Sequence, residues 1–212
     1  VRKAVNLALD KAGMRTFRGG ESVGEIAGHI MVNSLEDNLL ADFDPYATPN
    51  SAGDLTAAQA EMAQSAYGSD GDGVCDAPEC SDILAVTDEA YPYPDQAALI
   101  QQNMEPLGLT FDVKSFERTT MYSKCNEPEA HVAICLAPAW GKDFPDGYTF
   151  AEPLFGSAAI FPSCCNYGLV GASADLLSTA VYDITEVPSV DDVSSLILGV
   201  ARVGGAALVW LP

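Results

Sequence analysis

The segment ILAVTDEAYPYPDQAALIQQNMEPLGLTFDVKSF, residues 83–116, decides the fold. It begins with Ile83 to Thr87, an apolar run of strand length. Pro94 to Leu107 then places Ala97, Ile100, Met104 and Leu107 on one stripe at helical spacing, and Gly108 is a natural stop. Leu109 to Phe116 alternates: Leu109, Phe111 and Val113 face one way, Thr110, Asp112 and Lys114 the other. Strand, helix and strand within about 35 residues make a βαβ unit, so the two strands should run parallel with a right-handed crossover.

Outward from this unit the pattern stays α/β. Upstream, Val1 to Ala12 reads as an amphipathic helix ended by Gly13, with Val1, Val5, Ala8, Leu9 and Ala12 on one face. Residues 16–51 are rich in Gly and Pro and read as a long loop. Asp54 to Tyr67 reads as a helix with Thr56 and Gln59 at capping-box spacing and Gly68 as its end. Downstream, Glu117 to Cys125 is a short helix and His131 to Leu136 another apolar strand. Trp140 to Ser163, full of aromatics, Gly and Pro, is expected to be a structured loop region, and Ser173 to Tyr182 a helix.

Composition narrows the function. The chain has 212 residues and is 48% apolar, enough to bury a core. Ten Lys and Arg against thirty Asp and Glu give a formal charge of −20. Such a surface repels phosphate backbones and anionic lipid, which argues against nucleic-acid binding. The acidity serves solubility, or it attracts cationic ligand groups or divalent metal. Six cysteines without zinc-site spacing favour disulfides and an oxidising compartment. Cys75 with Cys80 is the favoured local pair. Cys125 and Cys135 could pair with each other or with Cys164 and Cys165. Cys125 beside His131 could mimic a thiol-protease dyad, but nothing orients them and the apolar run around Cys135 favours a structural role. The apolar tail from Val200 to Pro212 is too short to span a bilayer. No G-x-S-x-G, P-loop or dinucleotide fingerprint is present; Gly19-Gly20 lacks the context, and the patch around His29 is too apolar for a ligand site.

Three stretches carry a family resemblance. Val1-Arg2-Lys3-Ala4-Val5-Asn6-Leu7-Ala8-Leu9-Asp10-Lys11 is similar to a "VRxALxxAxDR" helix. Leu99 to Leu109, then Val113, resembles an "IQxxLxxxGIxVxx" helix-strand unit. Trp140-Gly141-Lys142-Asp143-Phe144-Pro145-Asp146 is similar to a "WxxDYPDP" loop, with Asn166-Tyr167 where the family has an Asn before its next helix. Together, in this order, they resemble the peptide- and nickel-type extracellular solute-binding proteins of ABC importers, family 5. The resemblance reaches from Val1 to about Leu177; the end, residues 199–212, is atypical.

The resemblance implies a type II periplasmic-binding-protein lobe, a mixed sheet flanked by helices. Residues 1–212 would be the C-terminal lobe of a two-lobed protein, with an export signal and an N-terminal lobe expected upstream. It implies a non-enzymatic receptor that closes on peptides or similar small solutes between lobes and docks on ABC permease subunits. The implied location is extracytoplasmic, periplasmic or as a cell-surface lipoprotein. Asp143 would pair with a peptide's α-ammonium, a strong contact inside a closed, low-dielectric cleft; the plainer reading is a solvated loop Asp near Lys142. Trp140 is either an aromatic wall against the ligand or a core anchor. Phe144, Tyr148 and Phe150 lean to packing. Asn166 hydrogen-bonds ligand or caps the following turn.

The acidic loop from Gly68 to Glu79 has another reading. Asp70, Asp72, Gly73, Asp76 and Glu79 fall at positions of a calcium loop, and Gly73 permits a sharp turn. Gly68 stands where the pattern wants Asp, and a strand, not a helix, follows. The alternative is a disulfide-closed acidic turn. No cofactor is required; a structural calcium, as in a calcium-stabilised extracellular interaction domain, is the alternative function. A hydrolase using scattered Asp and His has no motif behind it.

Overall fold

The computed structural model describes residues 1–68, 70–127, 130–161, 164–166, 197–200 and 207–210. The expected helix at residues 173–182 lies outside them. The central unit is as read. Strand β1 (Ile83–Asp88) pairs in parallel with β2 (Phe111–Phe116), Ile83 opposite Phe111 and Asp88 opposite Phe116. Between them, helix α4 (Tyr93–Met104) runs into a 3-10 turn at Glu105–Leu107. Its stripe of Ala97, Ile100, Met104 and Leu107 is buried. Gly108 closes it at φ +73, where a Cβ would lie 2.6 Å from the Cys75 carbonyl oxygen. Only glycine fits that turn and that approach.

The third strand, β3 (Ile134–Cys135), joins the other edge of β1, also in parallel. The sheet order is β2-β1-β3. Helix α5 (Arg118–Cys125) links β2 to β3, and Glu117 caps it by accepting from the Thr119 and Thr120 N–H groups. Two antiparallel pairs lie outside this sheet: β4 (Ile160–Phe161) with β5 (Cys164–Cys165), and β6 (Ile197–Val200) with β7 (Ala207–Trp210). The fold class is therefore α/β, its central sheet parallel and its antiparallel pairs separate.

Three local readings are corrected. The first helix is broken: α1 (Arg2–Ala8) stops before Leu9, and α2 (Lys11–Phe17) starts afresh. The Asp10 carboxylate accepts from the Gly13 N–H at 2.7 Å, so Asp10 is an N-cap and Gly13 lies inside a helix. Helix α3 (Leu55–Met62) is capped by Asp54, which accepts from the Ala57 N–H at 2.9 Å, rather than by a Thr56–Gln59 box, and it ends well before Gly68. The region from Trp140 is not wholly loop, for α6 (Tyr148–Phe155) forms within it around Pro153.

The main core lies where α1, α3 and α4 cover the sheet, around Leu9, Met14, Met62, Met104, Leu107, Leu109 and Leu136. Cys75 is disulfide-bonded to Cys80 and Cys125 to Cys135. Cys165 is also disulfide-bonded. Cys125 is thus no protease nucleophile. A second, smaller core gathers Val32, Leu35, Phe150 and Leu154.

Candidate functional site

In a parallel sheet all strands end at one edge. Here Asp88, Phe116 and Cys135 end β1, β2 and β3 there. Ligands of open α/β sheets bind beyond such carboxyl ends. The chain leaves β3 through Leu136 and Ala137, which is buried and turns at φ +86. The Tyr122 hydroxyl of α5 accepts from the Ala139 N–H at 3.1 Å. That bond fixes the exit of the loop carrying Trp140 and Asp143.

Trp140 is half-buried and packs with the smaller core. Its indole N–H donates to the Thr149 carbonyl at 2.8 Å. It is an anchor that stays partly accessible. Asp143 is exposed. Its backbone N–H donates to the Thr149 hydroxyl at 2.8 Å, and that hydroxyl donates to Asp143 Oδ2 at 3.1 Å. Among the described residues no Lys or Arg forms an ion pair with Asp143. A held, uncompensated carboxylate at a strand-end loop is suited to a ligand cation. Phe144 and Tyr148 are 46% and 59% exposed, against the expectation that they pack, while Phe150 is 3% exposed and does. Asn166 is 3% exposed. Its amide donates to the Gly156 carbonyl at 3.1 Å and its N–H to Ala159 at 3.2 Å, so it braces the turn after α6.

Thr149 escaped the sequence reading. It stands six residues past Asp143, in a stretch read as loop, and nothing in its spacing marks it. The patch around His29, read from the sequence as too apolar for a ligand site, contributes to a cavity. That cavity, of about 360 Å³, is lined by Glu25, Ile26, Met31, Val32, Asn33 and Asn38 among others. It shares Met31 and Val32 with the core that holds Trp140, so it sits beside the candidate site. A larger cavity, about 410 Å³, lies against the opposite strand ends at Ile83, Phe111 and Ala133, beneath Val1 and Val5. Strand polarity favours the smaller one as the ligand-side cavity.

The acidic loop is remote, leading into the start of β1. Carboxylate oxygens of Asp70, Asp72 and Asp76 lie within 4.8 Å of one another, all exposed. Glu79 is not in that group; it lines the larger cavity. Gly73 turns at φ +84, and a Cβ there would lie 2.8 Å from the Gln59 carbonyl oxygen, so a side chain is excluded. Chiefly the Asp70 charge, then desolvation and Asp72, raise the Asp76 carboxyl above its usual range. Such crowding of carboxylates is what a hard cation relieves.

A family model described as "Bacterial extracellular solute-binding proteins, family 5 Middle" matches residues 1–161. No curated protein matches the sequence. Among solved structures, an oligopeptide binding protein of clavulanic acid biosynthesis is similar at 20% identity and TM-score 0.65, covering 100% of this chain and 39% of that one. The DppA periplasmic binding protein of Helicobacter pylori, solved with the peptide STSA, is similar at 15% identity and TM-score 0.62, covering 99% and 39%. NikA of Brucella suis, solved with Fe(III)-EDTA, is similar at 16% identity and TM-score 0.56, covering 100% and 43%. The chain thus spans about two-fifths of the length of the structures it resembles. At these identities the likeness concerns the fold.

Proposed function

The chain belongs to the bacterial extracellular solute-binding proteins of family 5, and from that membership we propose that it is the C-terminal lobe of the substrate-binding component of an ABC importer. Its ligands are peptides or similar small solutes, held between this lobe and another and handed to permease subunits. The protein works outside the cytoplasm, periplasmic or as a surface lipoprotein, and has no turnover. No described helix is long and apolar enough to cross a membrane.

One observation carries the reading. Asp143 stands at the carboxyl edge of the sheet, held by Thr149 and paired with no cation among the described residues. Closure of a second lobe over it would strip water and strengthen its pull on a ligand ammonium. Trp140 and Phe144 supply apolar wall, and Asn166 holds the floor behind them. Calorimetric titration of the full-length protein with short peptides tests this. Asp143→Ala should weaken peptides with a free amino terminus, and N-acetylation should weaken binding to the unmodified protein. Equal affinities in all arms would remove Asp143 from the site.

The acidic loop supports an accessory reading, a structural calcium on Asp70, Asp72 and Asp76, with Glu79 reaching it only if the loop shifts. It fits a calcium-stabilised extracellular domain. The melting temperature should rise with calcium and fall with a chelator; no response discards the cation.

A further inference from the structure

The cavity of about 360 Å³ on the ligand side is built by the loop between α2 and α3. Buried contacts hold that loop in place. Lys11 of α2 donates to the Tyr46 carbonyl at 3.3 Å and lies 3.8 Å from Asp44. Beside Asp44, Gly28 meets the chain so closely that a Cβ would lie 2.9 Å from the Phe43 carbonyl oxygen. Val32 and Leu35 are buried in the smaller core, and the Leu35 N–H donates to the Val32 carbonyl at 2.9 Å. The apolar side of the cavity is Ile26, Met31 and Val32, and Met31 and Val32 pack in the core that includes Trp140.

The polar side carries one carboxylate. Glu25 lines the cavity and is exposed. The Asn33 amide, also at the cavity, donates to Glu25 Oε2 at 3.0 Å. A carboxylate only accepts, so the Asn33 nitrogen faces Glu25 and its oxygen faces His29 Nε2, 2.9 Å away. His29 therefore carries a proton on Nε2 and donates it to Asn33. This relay holds the Glu25 carboxylate at the cavity without neutralising it. Among the described residues no Lys or Arg forms an ion pair with Glu25, while Lys11 and Arg15 of α2 are taken by Asp44 and Glu21.

An apolar wall beside an unneutralised carboxylate is complementary to a long aliphatic stem with a cation at its tip. Lysine and arginine bury such stems along apolar surface and keep the charge for a polar partner. The volume falls within the range of small-molecule sites, about 300–1,000 Å³, and Met31 can adapt to stems of different length. The formal charge of −20 draws cationic ligands in. We propose that this cavity is a pocket for a lysine or arginine side chain of a peptide ligand, with Glu25 as the residue that selects the charge. This rests on the peptide reading and deepens it: the receptor prefers peptides that carry a basic side chain besides the ammonium taken by Asp143.

The test uses the full-length protein and calorimetry with trialanine carrying lysine at each position in turn. Norleucine at the same position keeps the stem and removes the ammonium. At one position lysine should bind roughly tenfold tighter than norleucine. Glu25→Gln alters an exposed residue and keeps an acceptor for Asn33, so folding is retained. It should erase the lysine advantage and leave norleucine within about twofold. Lysine no tighter than norleucine at every position, or equal losses of both in Glu25→Gln, overturns the pocket while peptide binding stands. Should the unmodified protein bind no tripeptide, the peptide reading fails, and n-butylammonium, the tip of a lysine, decides the pocket. Millimolar n-butylammonium that shifts the Ile26, Met31 and Val32 methyl signals, but not in Glu25→Gln, supports it; unmoved signals, or equal shifts in both proteins, overturn it.

Discussion

The indole N–H of Trp140 donates to the carbonyl of Thr149 at 2.8 Å, and Thr149 is the residue four before Pro153 in α6. In a regular helix that carbonyl would accept from the N–H at position 153. Proline has none. The acceptor released by Pro153 is thus the one that fixes Trp140, and through it the loop bearing Asp143.

This arrangement predicts a coupling. Trp140→Phe should cost about 1–2 kcal/mol, since it leaves a largely buried carbonyl without a donor, and should lower the melting temperature by about 2–8 °C for a chain of this size. In a Pro153→Ala background the helix supplies its own N–H, so the same change should cost less. A thermal double-mutant cycle reads this. Additive effects would mean that Pro153 and Trp140 are not linked through Thr149.

Thr149 also holds Asp143 directly, by two hydrogen bonds to one hydroxyl. Thr149→Val keeps the shape and removes both. The ammonium-dependent part of peptide affinity should fall about fivefold, the equivalent of about 1 kcal/mol. Thr149→Ser should restore most of it. Calorimetry with free and N-acetylated peptides separates this from a general loss of stability, which would weaken both alike.

Lys11 gives a pH signature. It is 4% exposed, donates to the Tyr46 carbonyl at 3.3 Å and lies 3.8 Å from Asp44. Burial lowers its ammonium below the ordinary 10.5, and the Asp44 charge only partly offsets this. Between the lowered folded value and the unfolded one, the unfolded chain binds more protons. Folding stability from this group therefore rises as pH climbs through that window. Denaturant melts of the unmodified protein and of Lys11→Met should diverge in favour of the former as pH increases toward 10.5. Parallel curves would show that Lys11 is not desolvated.

Much of this protein is legible in its residues because the relevant physics is local. The alternation of Leu109 to Phe116, the stripe of α4 and the stop at Gly108 need only near neighbours. Cys75 and Cys80, five residues apart, could hardly avoid one another. The Asp10 break was missed where local signals compete: the amphipathic face runs on through Ala12, but a carboxylate bonding Gly13 starts a new helix. Helix α6 was missed because Pro153 reads as a breaker, and its cost is offset by a donor from outside the helix.

The order of strands and helices, the glycine stops, the acidic loop and the family motifs are properties of short windows, and the amino-acid sequence determined them alone. Which atoms meet at the strand ends is another matter. Arg18 and Tyr93 are 75 residues apart, yet they touch. Asp143 is positioned by a threonine that no motif flags. Such pairs depend on how whole elements pack, and packing is a collective outcome of the buried core. Only the tertiary structure could decide them.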